Sequence, residues 1–128
     1  MVRISRLAKH KHFESGASCV YYEHLGIRHT VIFAFYDSTT QEQIDDVITR
    51  LSDMGNYLTK ELGVTEWVVA KHTPETLKER RAHLLQVGIF PNLETLEKHS
   101  SSSEQAHVIE LTPKVCDWMT VDTYVFEN

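Results

Sequence analysis

Val31 to Tyr36 is an unbroken run of six apolar residues, entered through Ile27-Arg28-His29-Thr30. A strand with one wet face alternates apolar and polar residues, so an unbroken run predicts a strand buried on both faces. A chain of 128 residues with two helical segments can cover one face of a small sheet but not both. The simplest cover for the second face is another copy of the same sheet. His29, at the mouth of this strand, stands beside an apolar chamber, where an imidazole can do acid–base work.

Composition narrows the class. Hydrophobic residues at 41% and charged residues at 24% fit one soluble globular domain. The net charge of -5 argues against a nucleic-acid footprint, and no apolar run is long enough to span a bilayer. Cys19 and Cys116 show no disulfide-framework spacing and point to a reducing, cytoplasmic setting. The eight histidines are the oddity.

Residues 1–25 read as a basic N-terminal extension and residues 26–128 as the domain. Arg3, Arg6, Lys9 and Lys11, with His10 and His12, precede the first acid, Glu14. There is no apolar core for a secretory signal. The basic, acid-poor start suits an added edge segment, though a mitochondrial presequence has a similar look. Val20-Tyr21-Tyr22 suits a short extra strand.

Beyond the first core strand, Thr39 followed by Glu42 has capping-box spacing. Ile44, Val47, Ile48, Leu51, Met54, Leu58 and Leu62 then recur at helical spacing, and Gly63 closes the helix. Val64 to Lys71 reads as a second strand. A charged connection with a break at Pro74 leads to a third strand, Ala82 to Phe90. Pro91-Asn92 starts a short helix with Leu93 and Leu96 inward. Ser100 to Ser103 reads as a loop, Glu104 to Val115 as a helix limited by Pro113, and Asp117 to Phe126 as the fourth strand. This order predicts an α+β, ferredoxin-like βαββαβ protomer with a four-stranded antiparallel sheet and helices on one face. Thr30, Ile32 and Ala34 on the other face lack cover within the chain. Leaving that face bare would exceed the apolar patch a monomer tolerates, so a homodimer closing a dimeric α+β barrel is expected.

Period-two alternation puts His29, Val31, Phe33 and Phe35 on one face, and His83, Leu85, Val87 and Ile89 together on the third strand. If both histidines face the helices, two imidazoles line an apolar pocket and His107 closes it from above. Neutral imidazoles in a dry pocket suit proton abstraction beside a carbonyl; each of the three also suits plain structural hydrogen bonding. No HxH or HxxxH pair lies on these elements, so no metal and no cofactor are expected. His10-Lys11-His12 has HxH spacing, but in the extension. Cys116, ahead of a buried strand, reads as inert, and neither a phosphate loop nor a nucleophile elbow is present.

Ile-Arg-His-Thr-Val-Ile-Phe-Ala-Phe, Ala-His-Leu-Leu-Gln-Val, Gln-Ala-His-Val and the closing Asp-Trp-Met-Thr-Val-Asp-Thr-Tyr together resemble the stress-responsive dimeric α/β-barrel (Dabb) family over about Gly26 to Glu127. Some members of that family are polyketide cyclases of the olivetolic acid cyclase type, which work without a cofactor; many have no assigned activity. The resemblance implies pocket histidines at His29 and His83. It implies that His99 and His107 match the two histidines of the family's His-Pro-Ala-His segment, the second being the general base. It places apolar pocket positions at Val31, Phe33, Val47, Leu51, Leu85 and Trp118. Two departures stand out. Leu96 occupies the position of the cyclase tyrosine, and the segment between His99 and His107 is five residues longer, with the serine run inserted.

Two functions follow as expectations. The first is a cofactor-independent lyase or cyclase acting on a carbonyl-containing, polyketide-like or other secondary metabolite. His107 would be its base, His29 or His83 would polarise the carbonyl, and Leu96 and His99 would line the substrate site. The second is a non-catalytic stress-response homodimer that binds a small apolar ligand.

Overall fold

A computed structural model describes residues 9–12, 18–21, 25–72 and 83–126. The basic stretch ahead of Lys9 and the connection containing Pro74 lie outside the described residues. Strands β1 (Lys9–His12) and β2 (Ser18–Tyr21) pair antiparallel as a small separate sheet. The main body runs β3 (Gly26–Phe35), α1 (Gln41–Glu61), β4 (Thr65–Lys71), β5 (Leu84–Phe90), α2 (Leu93–Ser100), α3 (Ser103–Val115) and β6 (Cys116–Val125). Its four strands form one antiparallel sheet in the order β4-β5-β3-β6, so the apolar run of β3 lies in the sheet interior.

The long helix starts one residue later than the spacing of Thr39 and Glu42 suggests. Thr40 is the N-cap; its hydroxyl accepts from the Gln43 backbone N–H, and the Gln43 side chain accepts from the Thr40 N–H. Thr39 instead donates its hydroxyl to the Val115 carbonyl at 2.6 Å. Gly63, at φ 68°, occupies the left-handed position beyond the helix end that glycine adopts without steric cost. Val47, Leu51, Met54 and Leu58 on α1 pack with Val31, Phe33, Phe35, Leu84 and Phe90 of the sheet and with Val108 and Val115 of α3. The helices therefore cover one sheet face.

The serine run is split between two helix ends and the tight turn of Ser101 and Ser102 that joins them. Ser100 ends α2, and Ser102 caps α3, accepting from the Gln105 N–H while donating to the His99 carbonyl at 2.8 Å. Pro113 sits inside the last turns of α3, which runs on to Val115. Leu93, expected inward, is the first residue of α2 and is exposed; Leu96 packs partly against the core.

The largest correction concerns β5. Its helix-facing residues are Leu84, Gln86, Gly88 and Phe90, all buried, whereas Leu85 is exposed on the opposite face. Pairing fixes this parity: Gln86 lies opposite Val31, and Leu85 opposite Ile32. The opposite sheet face is apolar and open. Val68, Leu85, Met119 and Val121 are all exposed there, around Ile32 and Ala70.

Candidate active site

A cavity enclosing about 480 Å³ of empty space, part of it at its open mouth, lies between the helix-facing side of the sheet and the helices. The sheet contributes His29, Val31 and Phe33 from β3, Gln86 from β5, and Trp118 and Thr120 from β6. These are cross-strand neighbours: Val31 faces both Gln86 and Thr120, and Phe33 faces Trp118. Leu51 and Met54 of α1, His99 and Ser100 at the end of α2, and Gln105, Val108, Ile109 and Thr112 of α3 complete the lining.

At one end of this cavity stands a histidine–carboxylate pair. His29 on β3 and Asp122 on β6 are register partners, so their side chains rise from the same sheet face. His29 Nδ1 and Asp122 Oδ1 are 2.5 Å apart. A carboxylate only accepts, so the neutral imidazole carries its proton on Nδ1 and leaves Nε2 as the acceptor. The His29 side chain is only 12% exposed, while that of Asp122 is 42% exposed and keeps contact with solvent.

His99 stands beside this pair. Its ring centroid lies 5.7 Å from that of His29 and 5.3 Å from that of Phe90. His99 is 2% exposed. Burial, reinforced by the nearby His29 and opposed by Asp122, lowers its pKa to about 4. It is therefore a neutral imidazole at neutral pH. Among the described residues its Nδ1 has no hydrogen-bond partner, and neither has the Nε2 of Gln86. An orphaned buried polar atom costs roughly 1–3 kcal/mol, and here both such residues line one cavity.

The expected site residues sort unevenly. His29, Val31, Phe33, Leu51, His99 and Trp118 line the cavity together. Val47 is fully buried in the core and Leu96 is partly buried against it, and neither reaches the cavity wall. Leu85 lies on the other side of the sheet. His83 sits just before β5, where its Nδ1 accepts the Phe35 backbone N–H at 2.8 Å and its ring stacks on Phe35. It belongs to a separate groove with Tyr36, Asp37 and Lys71. His107 is exposed, and its carbonyl accepts from Arg50 at 2.9 Å. On α3 the cavity-facing positions are Gln105, Val108, Ile109 and Thr112, at helical spacing, and His107 falls between them on the outer flank. Three histidines thus do not converge as expected; His29 and His99 do.

Asp122 and Gln86 escaped the sequence reading. Each becomes visible only through strand register, which sets Asp122 against His29 and Gln86 against Val31. Among the described residues, no group of three or more His, Cys, Asp or Glu side chains is placed to hold a metal ion. Cys116 is buried, donates its thiol to the Thr112 carbonyl, and has its pKa raised by burial to about 11. Among the described residues no helix is long and apolar enough to cross a membrane.

No protein-family model and no curated protein sequence matches the chain. Solved structures do. A dimeric ferredoxin-like protein of unknown function from Thermobifida fusca superposes with a TM-score of 0.68 at 17% identity, covering 82% of this chain and 95% of its own. The chain has a ferredoxin-like fold. A hydroxynitrile lyase from Passiflora edulis gives 0.66 at 16% identity, covering 80% and 94%. A dabb family protein from Mesorhizobium loti gives 0.57 at 17% identity, covering 76% and 93%. At these identities the likeness carries the fold alone, and function rests on the residues of the site.

Proposed function

We propose that this protein is a cofactor-independent lyase or cyclase that moves a proton on a carbonyl-containing substrate, with His29 as the general base. The observation that carries this reading is the pairing of His29, which lines the cavity, with Asp122 beside it on β6. Asp122 holds the ring with Nε2 as its free acceptor and offsets the positive charge that forms when Nε2 takes a proton. His99, held neutral, acts as a hydrogen-bonding neighbour. His107, expected as the base, has no part in this reading because its side chain is not in the cavity. A polyketide-like or other secondary metabolite, with both hydrocarbon and oxygen, fits a lining that mixes apolar and polar side chains, and a Dabb-type assignment agrees with the resemblance in the sequence and with the fold of the Mesorhizobium loti neighbour.

The twofold dimer belongs to the same proposal. The open sheet face presents Val68, Leu85, Met119 and Val121 to solvent, an apolar surface that a second copy would bury. Ferredoxin-like neighbours are described as dimeric. A free, buried Cys116 suits a reducing, cytoplasmic setting.

The test is proton exchange, which needs no knowledge of the natural substrate. Acetophenone and cyclohexanone are incubated with the protein in D2O, and deuterium uptake beside the carbonyl is followed by NMR. The native protein is expected to speed uptake, and His29→Ala to lower that acceleration about a hundredfold or more. Uptake no faster than in buffer, with the ketones nevertheless bound, would favour the second reading, a non-catalytic stress-response homodimer that holds a small apolar ligand against the apolar side of the cavity (Val31, Phe33, Leu51, Met54, Val108, Ile109).

A further inference from the structure

Gln86 is the one polar side chain that β5 turns toward the helices, and it is 1% exposed. On β5 it lies two residues from Gly88, the register partner of His29, so it sits one step along the same sheet face from the proposed base. Among the described residues its Nε2 has no partner, and neither has the Nδ1 of His99, and both residues line the same cavity. An apolar side chain of similar length would avoid the desolvation cost of an orphaned amide. Two such atoms on residues that line one cavity point to a ligand that satisfies them.

The chemistry of the pair restricts that ligand. The amide nitrogen of Gln86 has two N–H donors and no lone pair to offer, so the ligand must present an acceptor. His99 in its Nδ1–H tautomer adds a second donor. Among the described residues the cavity lining contains no Lys or Arg, and Asp122 stands at one end, so a carboxylate would be buried there without a counter-charge. Phe33, Leu51, Met54 and Val108 supply contact for a hydrocarbon body. We propose that Gln86 and His99 form a receiving pair for the oxygen of an uncharged carbonyl compound, with Gln86 as a specificity-determining residue. This rests on the reading above in placing the ligand within that cavity, and it deepens it by naming the class of group bound. Because burial keeps His99 neutral, the pair adds no net charge of its own. When His29 Nε2 takes a proton from the carbon beside the carbonyl, the electron pair of that C–H bond moves into the C–C bond and the carbonyl π pair moves onto oxygen. Hydrogen bonds from Gln86 and His99 would stabilise the resulting oxyanion.

Three probes of one shape separate the contributions: acetophenone, ethylbenzene without the oxygen, and benzoate with a charge. Each is titrated into the 15N-labelled full chain by NMR, for the native protein and for Gln86→Met. Acetophenone is expected to bind about tenfold tighter than ethylbenzene, to move the side-chain amide signal of Gln86, and to bind about tenfold or more tighter than benzoate. In Gln86→Met the gap between acetophenone and ethylbenzene closes, while the melting temperature holds or rises because a buried orphan has been removed. Equal binding of acetophenone and ethylbenzene to the native protein overturns the proposal. So does a gap that survives in Gln86→Met, benzoate as the tightest probe, or no binding of any probe. Deuterium exchange that depends on His29 but is untouched by Gln86→Met would remove this pair and leave the base in place. Oxygen-dependent binding without any exchange would do the reverse.

Discussion

Acidification tests the most unusual group in the cavity. His99 is 2% exposed, and burial, with His29 adding to it, lowers its pKa to about 4. In the unfolded chain an imidazole titrates near 6.5. Between those values the unfolded chain binds a proton that the native protein refuses, so stability falls as pH drops. The contribution is fully present above about pH 6.5, and the loss is complete below about pH 4. From pH 7 to pH 5 the linkage relation gives a loss of about 2 kcal/mol. For a chain of this size that corresponds to about 8 °C in melting temperature. His99→Phe keeps a flat ring against Phe90 and removes the titration, so the variant should lose that much less over the same pH interval. The assay is a pair of urea or thermal unfolding series at pH 7, 6 and 5. Parallel pH dependence in the native protein and in His99→Phe would refute the claim that a buried neutral imidazole closes this cavity.

The remaining predictions concern the neighbours of the site. Asp122→Asn should lower the His29-dependent deuterium exchange about tenfold or more, and unchanged exchange would separate the carboxylate from the chemistry. His107→Ala should leave exchange and melting temperature nearly as they were, because that side chain lies on the outer flank of α3; loss of activity would restore it to the site. Gly55→Ala should destabilise by about 1–3 kcal/mol, since the added Cβ would fall 2.2 Å from the Trp67 indole, whose Nε1 donates to the Leu51 carbonyl. Alanine in an exposed helix position would instead gain about 1 kcal/mol, so the sign of the shift in thermal unfolding decides. Ile32→Glu should abolish dimers in light scattering, because it would bury an unpaired charge in the proposed sheet-to-sheet contact; dimers that persist would place the interface elsewhere.

The element order was legible because local signals agreed with one another. The apolar run of β3, the helical stripe of α1 ending at Gly63, and the bounded strands left few arrangements open. Parity along β5 was not legible. Leu84-Leu85-Gln86-Val87-Gly88-Ile89-Phe90 carries apolar residues on both faces, and its two non-apolar positions, Gln86 and Gly88, share a face. That face looks like the wet one, yet it is the one under the helices. Gly88 is there because the Trp67 ring lies over it, so close that an added Cβ would fall 2.5 Å from the ring. Gln86 is there beside a cavity rather than beside water. A gap and a bulky neighbour from another strand thus inverted the alternation, and only the pairing with β3 reveals it.

The histidines show the same limit on helices. Resemblance favoured His107 over His99, and the serine run suggested a loop that would bring it to a ligand. Helical spacing on α3 already argues otherwise: each residue turns about 100° from the last. Val108, Thr112 and Val115, all buried, define the inward stripe. Gln105 and Ile109 lie on the cavity side of that stripe, and His107 on the other side. What spacing cannot supply is the end of α2. Ser102 there caps α3 and also ties back to the His99 carbonyl, so the serines fix a tight joint that turns His99 inward. Asp122, the partner of the proposed base, carries no local signal at all. It is one acid in a closing strand whose neighbours are mostly exposed, and its meaning comes from lying opposite His29. Catalytic pairs assembled across strands distant in sequence depend on register, and register is a property of the folded sheet.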